Sequence, residues 1–142
     1  MSLKWSLLLV IAVLLQSCGS SLFVMDDIMM LERGNTRKDV QTMVKLKPRY
    51  GKPLNYKENR YIVEYYHMKI GNRRELGEDS KGRASIENTK NIDIYQDYYF
   101  LYNQNDQVIF WGTTDDFKAA EDSTIIQIGA SIKKNSSKWD SE

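Results

Sequence analysis

The spacing of apolar and polar positions changes along this chain, and each spacing predicts an element. An almost unbroken apolar run covers residues 5–15, behind a single positive charge at Lys4. Nothing in it makes a polar second face, which argues against a helix packed in a core. Residues 25–33 predict a short first helix, with Ile28, Met29 and Leu31 on its apolar side and Gly34 placed as a C-cap. Thr36 follows as an N-cap candidate, and Asp39 three residues later completes a capping box with Asp in place of Glu. Val40, Met43, Val44 and Leu46 then recur at the spacing of an amphipathic second helix, which Pro48 stops. Residues 49–53 read as a turn-rich loop.

Further on, the period shortens to that of strands. Residues 60–70, rich in Tyr, Ile and Val, predict the first strand. Residues 71–91 carry three glycines, mixed charges and few apolar positions, and read as a long flexible loop, with residues 92–95 as an early start to the next strand. Residues 97–102 and 107–112 flank Asn103-Gln104-Asn105-Asp106 and predict a hairpin. In either register Tyr98, Phe100 and Tyr102 share a face with Ile109 and Trp111, while Tyr99 and Leu101 share the other with Val108 and Phe110. A one-residue slip would break that matching. Thr114 is placed to cap a short turn through Phe117. Ser123 is placed to cap a last helix with Ile125, Ile128 and Ile132 on one side and Gly129 as a weak point, although an Ile-rich run is also compatible with a strand. Residues 135–142 are polar and read as a frayed tail.

The apolar run at the start ends in Leu15-Gln16-Ser17-Cys18, which resembles the lipobox of bacterial lipoprotein signal peptides. The run is too short for the roughly 20 residues of a transmembrane helix. The resemblance implies cleavage between Ser17 and Cys18 and a covalent lipid on the Cys18 sulfur. Two or more acyl chains anchor stably, whereas one binds only marginally. Residues 1–17 would then be a signal peptide, 18–25 a lipidated tether and 26–134 a single domain.

Cleavage leaves 125 residues, enough for one modest core. It also removes Lys4, so 19 basic residues face 19 acidic ones and nucleic acid is not implied as a partner. With the only cysteine acylated, neither an intrachain disulfide nor a cysteine metal site can form. Charge is nevertheless segregated. Residues 33–60 hold nine basic and two acidic side chains, and residues 97–123 hold six acidic and one basic. A basic segment of a tethered domain could face anionic head groups.

The order helix, Gly-x-Thr, helix, Pro-containing turn and antiparallel sheet, behind a lipid anchor, resembles the BamE (SmpA/OmlA) family of small outer-membrane lipoproteins. Leu31, Gly34, Thr36, Val40, Met43 and Val44 carry the match, with the strands around Tyr61 and from Tyr98 to Trp111. The resemblance implies an α+β fold: two N-terminal helices packed on a three-stranded antiparallel sheet, here with a short C-terminal helix. It also implies a place at the outer membrane of a diderm bacterium, on its periplasmic face, and a role as an accessory of β-barrel assembly.

Chemistry points the same way. His67 is the only histidine, so a histidine-pair metal site is excluded and any triad must be built on it. Asp115 and Asp116 are adjacent, and read as charge near a helix start rather than as a catalytic pair. No catalytic residue, metal or cofactor other than the Cys18 lipid is expected. The aromatic hairpin invites a protein partner instead, with Tyr98, Tyr99, Leu101, Phe110 and Trp111 as contact candidates. A free edge strand could also pair with an incoming segment. The alternative is an inhibitor that blocks a periplasmic or secreted enzyme with the loop at 71–91.

Overall fold

Thr36 caps the first complete helix among the described residues. The computed structural model describes residues 28–141. The Thr36 hydroxyl accepts a hydrogen bond from the Asp39 amide, and the Asp39 carboxylate accepts one from the Thr36 amide, so the capping box forms as its residues predict. Helix α1 spans Arg37–Val44 and buries Val40 and Val44. Of the helix expected over 25–33, residues 25–27 lie outside the described residues, and only Ile28 and Met29 are helical in the rest. The following residues show why. The Gly34 amide donates to the Val108 carbonyl and the Val108 amide to the Asn35 carbonyl, each at 2.8 Å, which draws residues 34–36 against the hairpin. Among the described residues, one complete helix precedes the sheet, not two.

The sheet has four antiparallel strands, not three, arranged in chain order: β1 (Tyr50–Tyr56), β2 (Asn59–Glu78), β3 (Ala84–Tyr102) and β4 (Val108–Gly112). The additional strand is β1, in the region read as a turn-rich loop. It sets Tyr50, Lys52 and Leu54 opposite Tyr65, Val63 and Tyr61 on one face. Pro53 is tolerated because β1 is an edge strand. Its turn into β2 uses Lys57 at φ 54°, so no glycine marks the hairpin.

Residues 71–91 also differ from expectation. They are not a loop but the far part of a hairpin, since β2 runs on to Glu78 and β3 begins at Ala84. Its tip is held by the Asp79 side chain, which accepts from the Lys81 and Arg83 amides at 2.8 and 3.0 Å. Register shifts interrupt the pairing between Lys69 and Gly71 and between Glu75 and Gly77. At the second, the Asn88 carbonyl lies so close to Gly77 that a Cβ there would sit 2.3 Å from its oxygen. The glycines and charges that suggested a loop thus belong to a solvated, bulged ribbon.

Nearer the centre, the sheet is covered on both faces. Helix α1, with Ile28 and Leu31, packs on Tyr66, Met68, Phe100, Tyr102 and Val108. Helices α2 (Thr114–Lys118) and α3 (Ser123–Trp139) cover the other face, where Phe117, Ile125, Ile128 and Ile132 meet Tyr65, Tyr99 and Leu101. The N-caps are Thr113 and Asp122, each one residue before the expected position. The last helix is not short, and the tail expected from 135 is helical to Trp139, which packs on the core. The hairpin of β3 and β4 forms, but with a bulge. Leu101 pairs with Phe110 and Tyr102 with Val108, which brings Val108 to the α1 face and moves Ile109 to the α3 face.

At Gly129, read as a weak point of α3, the helix packs tightly on α2. A Cβ there would lie 2.5 Å from the Phe117 Cβ. Gly129→Ala should therefore destabilise the fold by about 1–3 kcal/mol through overpacking, despite alanine's better helix propensity. Urea denaturation would show this as a lowered midpoint. An unchanged or raised midpoint would mean that α2 moves aside freely.

Candidate functional site

Where β2 and β3 emerge from beneath α3, the apolar pattern stops and polar side chains take over the same sheet face. The last covered row is a tyrosine ladder across three strands. Tyr50 and Tyr65 have ring centroids 4.9 Å apart, Tyr65 stacks on Tyr99 at 5.2 Å, and Trp139 from the end of α3 meets Tyr50 edge-on at 5.8 Å. In the next row His67 pairs with Asp97 across the strands. Asp97 Oδ1 accepts from the Tyr65 hydroxyl and from His67 Nδ1, both at 2.7 Å. The His67 ring also stacks on Tyr95, 4.9 Å away and nearly parallel.

This arrangement fixes the imidazole. Because a carboxylate can only accept, Nδ1 carries the proton toward Asp97 and Nε2 is left for another partner. Burial alone would raise the Asp97 carboxyl, but the hydrogen bonds from His67 and Tyr65, aided by the His67 and Arg49 charges, outweigh it and hold the carboxyl below its ordinary value. Burial, first of all, pushes the Tyr50 and Tyr65 hydroxyls upward, reinforced by their tyrosine and aspartate neighbours. The Tyr50 hydroxyl is buried beside the Tyr99 hydroxyl, which also raises it. A His–Asp pair of this kind can orient a general base, yet Tyr65 is committed to Asp97 and supplies no nucleophile.

An open cleft of about 560 Å³ lies here, lined by Arg49, Tyr50, Lys52, Tyr65 and His67 from the sheet side of the chain and by Trp139 and Asp140 from the end of α3. Sequence reasoning singled out His67 as the only histidine but missed Asp97, Arg49 and Trp139. The pairing of His67 with Asp97 depends on strand register, and Trp139 lies in the stretch read as tail. The signal that was available is the period-two series Tyr65, His67 and Lys69.

The expected contact residues fall elsewhere. Tyr99 is 5% exposed and Leu101 fully buried, both under α3. Phe110 packs edge-on against Phe117, 4.7 Å between centroids. Tyr98 and Trp111 are half-buried at the rim of the α1 face. The five do not make one exposed surface, because helices cover both faces of the hairpin. Ser17 and Cys18 lie outside the described residues. A second polar cluster is internal. Glu64 is 3% exposed beneath α1, accepting from Gln41 Nε2 at 2.7 Å, Tyr66 at 3.0 Å and Tyr102 at 3.1 Å. With its lone pairs occupied it serves the core. Asp115 and Asp116 both stand in the first turn of α2, and Asp116 closes a capping box with Thr113.

Because the folded Asp97 carboxyl is depressed, it adds stability that is complete above the unfolded value near pH 4 and is lost as pH falls through the folded one. Asp97→Asn should lower stability at neutral pH and flatten the acid limb. Thermal unfolding between about pH 2 and pH 7 checks this, and an acid limb as steep as in the parent would remove Asp97 from the explanation.

Compared with known proteins, the chain matches no family model, no curated protein and no solved structure.

Proposed function

We propose that this is a lipid-anchored, non-enzymatic protein of the bacterial envelope that holds a protein partner along its projecting β-ribbon. The observation that carries the reading is the ribbon itself. β4 pairs with β3 only over residues 99–102, and β1 with β2 only over 59–65. Beyond those points β2 and β3 pair with each other alone, so each offers a long outer edge. Leu76, Ile86, Ile94 and Tyr95 are exposed along it, Ile86 at 83%. Edges of this kind recruit an extended segment by strand addition, with backbone bonds giving affinity and side-chain pockets giving selectivity.

The anchor rests on the lipobox-like residues before Cys18 and on the charge at Lys4. Together the two features support an accessory that presents its ribbon to envelope proteins. An assembling outer-membrane β-barrel, whose own strand edges await partners, is the partner class that this chemistry favours. A position on the periplasmic face of the outer membrane of a diderm bacterium belongs to the same proposal. The second reading is an enzyme inhibitor, favoured by the braced Asp79 turn, which would give a tip firm enough to enter an active site.

Photocrosslinking in cells from Ile94, midway along the ribbon, should capture an envelope protein, whereas a probe at Lys118 on α2 should not. Capture of a soluble enzyme that is lost when residues 79–83 are replaced by a minimal turn would favour the inhibitor. Crosslinks to the chain itself alone would sink both. Independently, Cys18→Ser should abolish acyl labelling and release the protein from the membrane fraction; labelling that persists would remove the anchor.

A further inference from the structure

We infer that the cleft at the foot of the ribbon is a saccharide-binding site, separate from the ribbon edges. Its volume, about 560 Å³, lies within the range of small-molecule sites, roughly 300–1,000 Å³. Its composition selects the ligand class. Trp139 and Tyr50 offer rigid aromatic surface, against which the C–H face of a sugar ring packs. Arg49 and Asp140 bring planar polar groups, each able to bridge two neighbouring hydroxyls, and His67 adds a single free ring nitrogen. A sugar hydroxyl both donates and accepts, so it can answer guanidinium, carboxylate and imidazole alike.

The alternatives fit less well. Arg49 and Lys52 are offset by Asp140 and by Asp97 beside them, so the cleft lacks the one-sided charge that a phosphate or polyanion needs. It is open and has a polar rim, so a lipid chain finds no enclosed apolar slot. The site is also prepared in two ways. Asp97 holds the imidazole by Nδ1, which leaves Nε2 for a ligand. The exposed Arg49 guanidinium forms no ion pair within 4 Å among the described residues, and its backbone amide is tied to the Tyr65 carbonyl at 2.7 Å.

The test is titration of the full chain with chitobiose, maltose and glucuronic acid, alongside inorganic phosphate and glycylglycine, followed by tryptophan fluorescence and calorimetry. At least one saccharide should saturate with a dissociation constant of about 0.1–1 mM, and phosphate and the dipeptide should not. Arg49→Ala and Trp139→Ala should each weaken it about tenfold or more, and Lys118→Ala should leave it unchanged. Arg49 is exposed and keeps its backbone bond in the variant, so its loss of affinity does not depend on a folding defect. No saturation by any of the three sugars, equal affinity in Arg49→Ala, or tighter binding of phosphate or dipeptide overturns the proposal.

Discussion

The pairing of β2 with β3 is the constraint on which the rest depends. Residues 62–69 of β2 run opposite 102–95 of β3 without a break, and that block supplies the inner wall of both cores. Because strand side chains alternate, one register sends Tyr65, Tyr99 and Leu101 under α3 and Tyr66, Phe100 and Tyr102 under α1. A slip of one residue would expose both sets and bring His67 and Asp97 to the wrong faces. Glu64 adds a polar specification. Its carboxylate finds Gln41, Tyr66 and Tyr102 only when α1 and both strands are in place together. A buried charge deprived of its partners costs several kcal/mol, so mispaired arrangements are penalised.

Much of the body was legible in the sequence. The capping box at Thr36 and Asp39, the Val40 and Val44 stripe, the hairpin around Asn103 and the Ile125, Ile128 and Ile132 stripe are local signals, and local signals survive folding. What escaped was set at a distance. Residues 34–36 leave the helical path because Val108 takes their backbone bonds. β1 is a strand because β2 offers it an edge, although Pro53 and Gly51 advertise a turn. The swap of Val108 for Ile109 comes from a bulge, which no alternation pattern announces. The two-helix, three-stranded expectation failed for these reasons, and the family resemblance it came from stays without support among known proteins.

The candidate site was less legible than the fold. Its residues come from before β1, from β1 and β2, from β3 and from the end of α3, with up to 91 positions between Arg49 and Asp140. His67 alone could be singled out, and its partner Asp97 lies 30 residues away. The aromatic clusters were visible, but their burial was not. Nine tyrosines in so small a domain can form either a sticky face or a core, and the helices on both sides decide for the core.

The ribbon and the body are held by different physics. The body is close-packed on both faces of one sheet, so a change of a single methylene there is felt. Beyond Gly71 the ribbon is held by backbone pairing and by solvated ion pairs such as Arg83 with Asp79, which contribute little to stability. Side chains along the ribbon can therefore change with little consequence for folding. In evolutionary terms the molecule separates a constrained chassis from an interchangeable probe: related chains could drift apart in what the ribbon touches while the two cores beneath it stay the same.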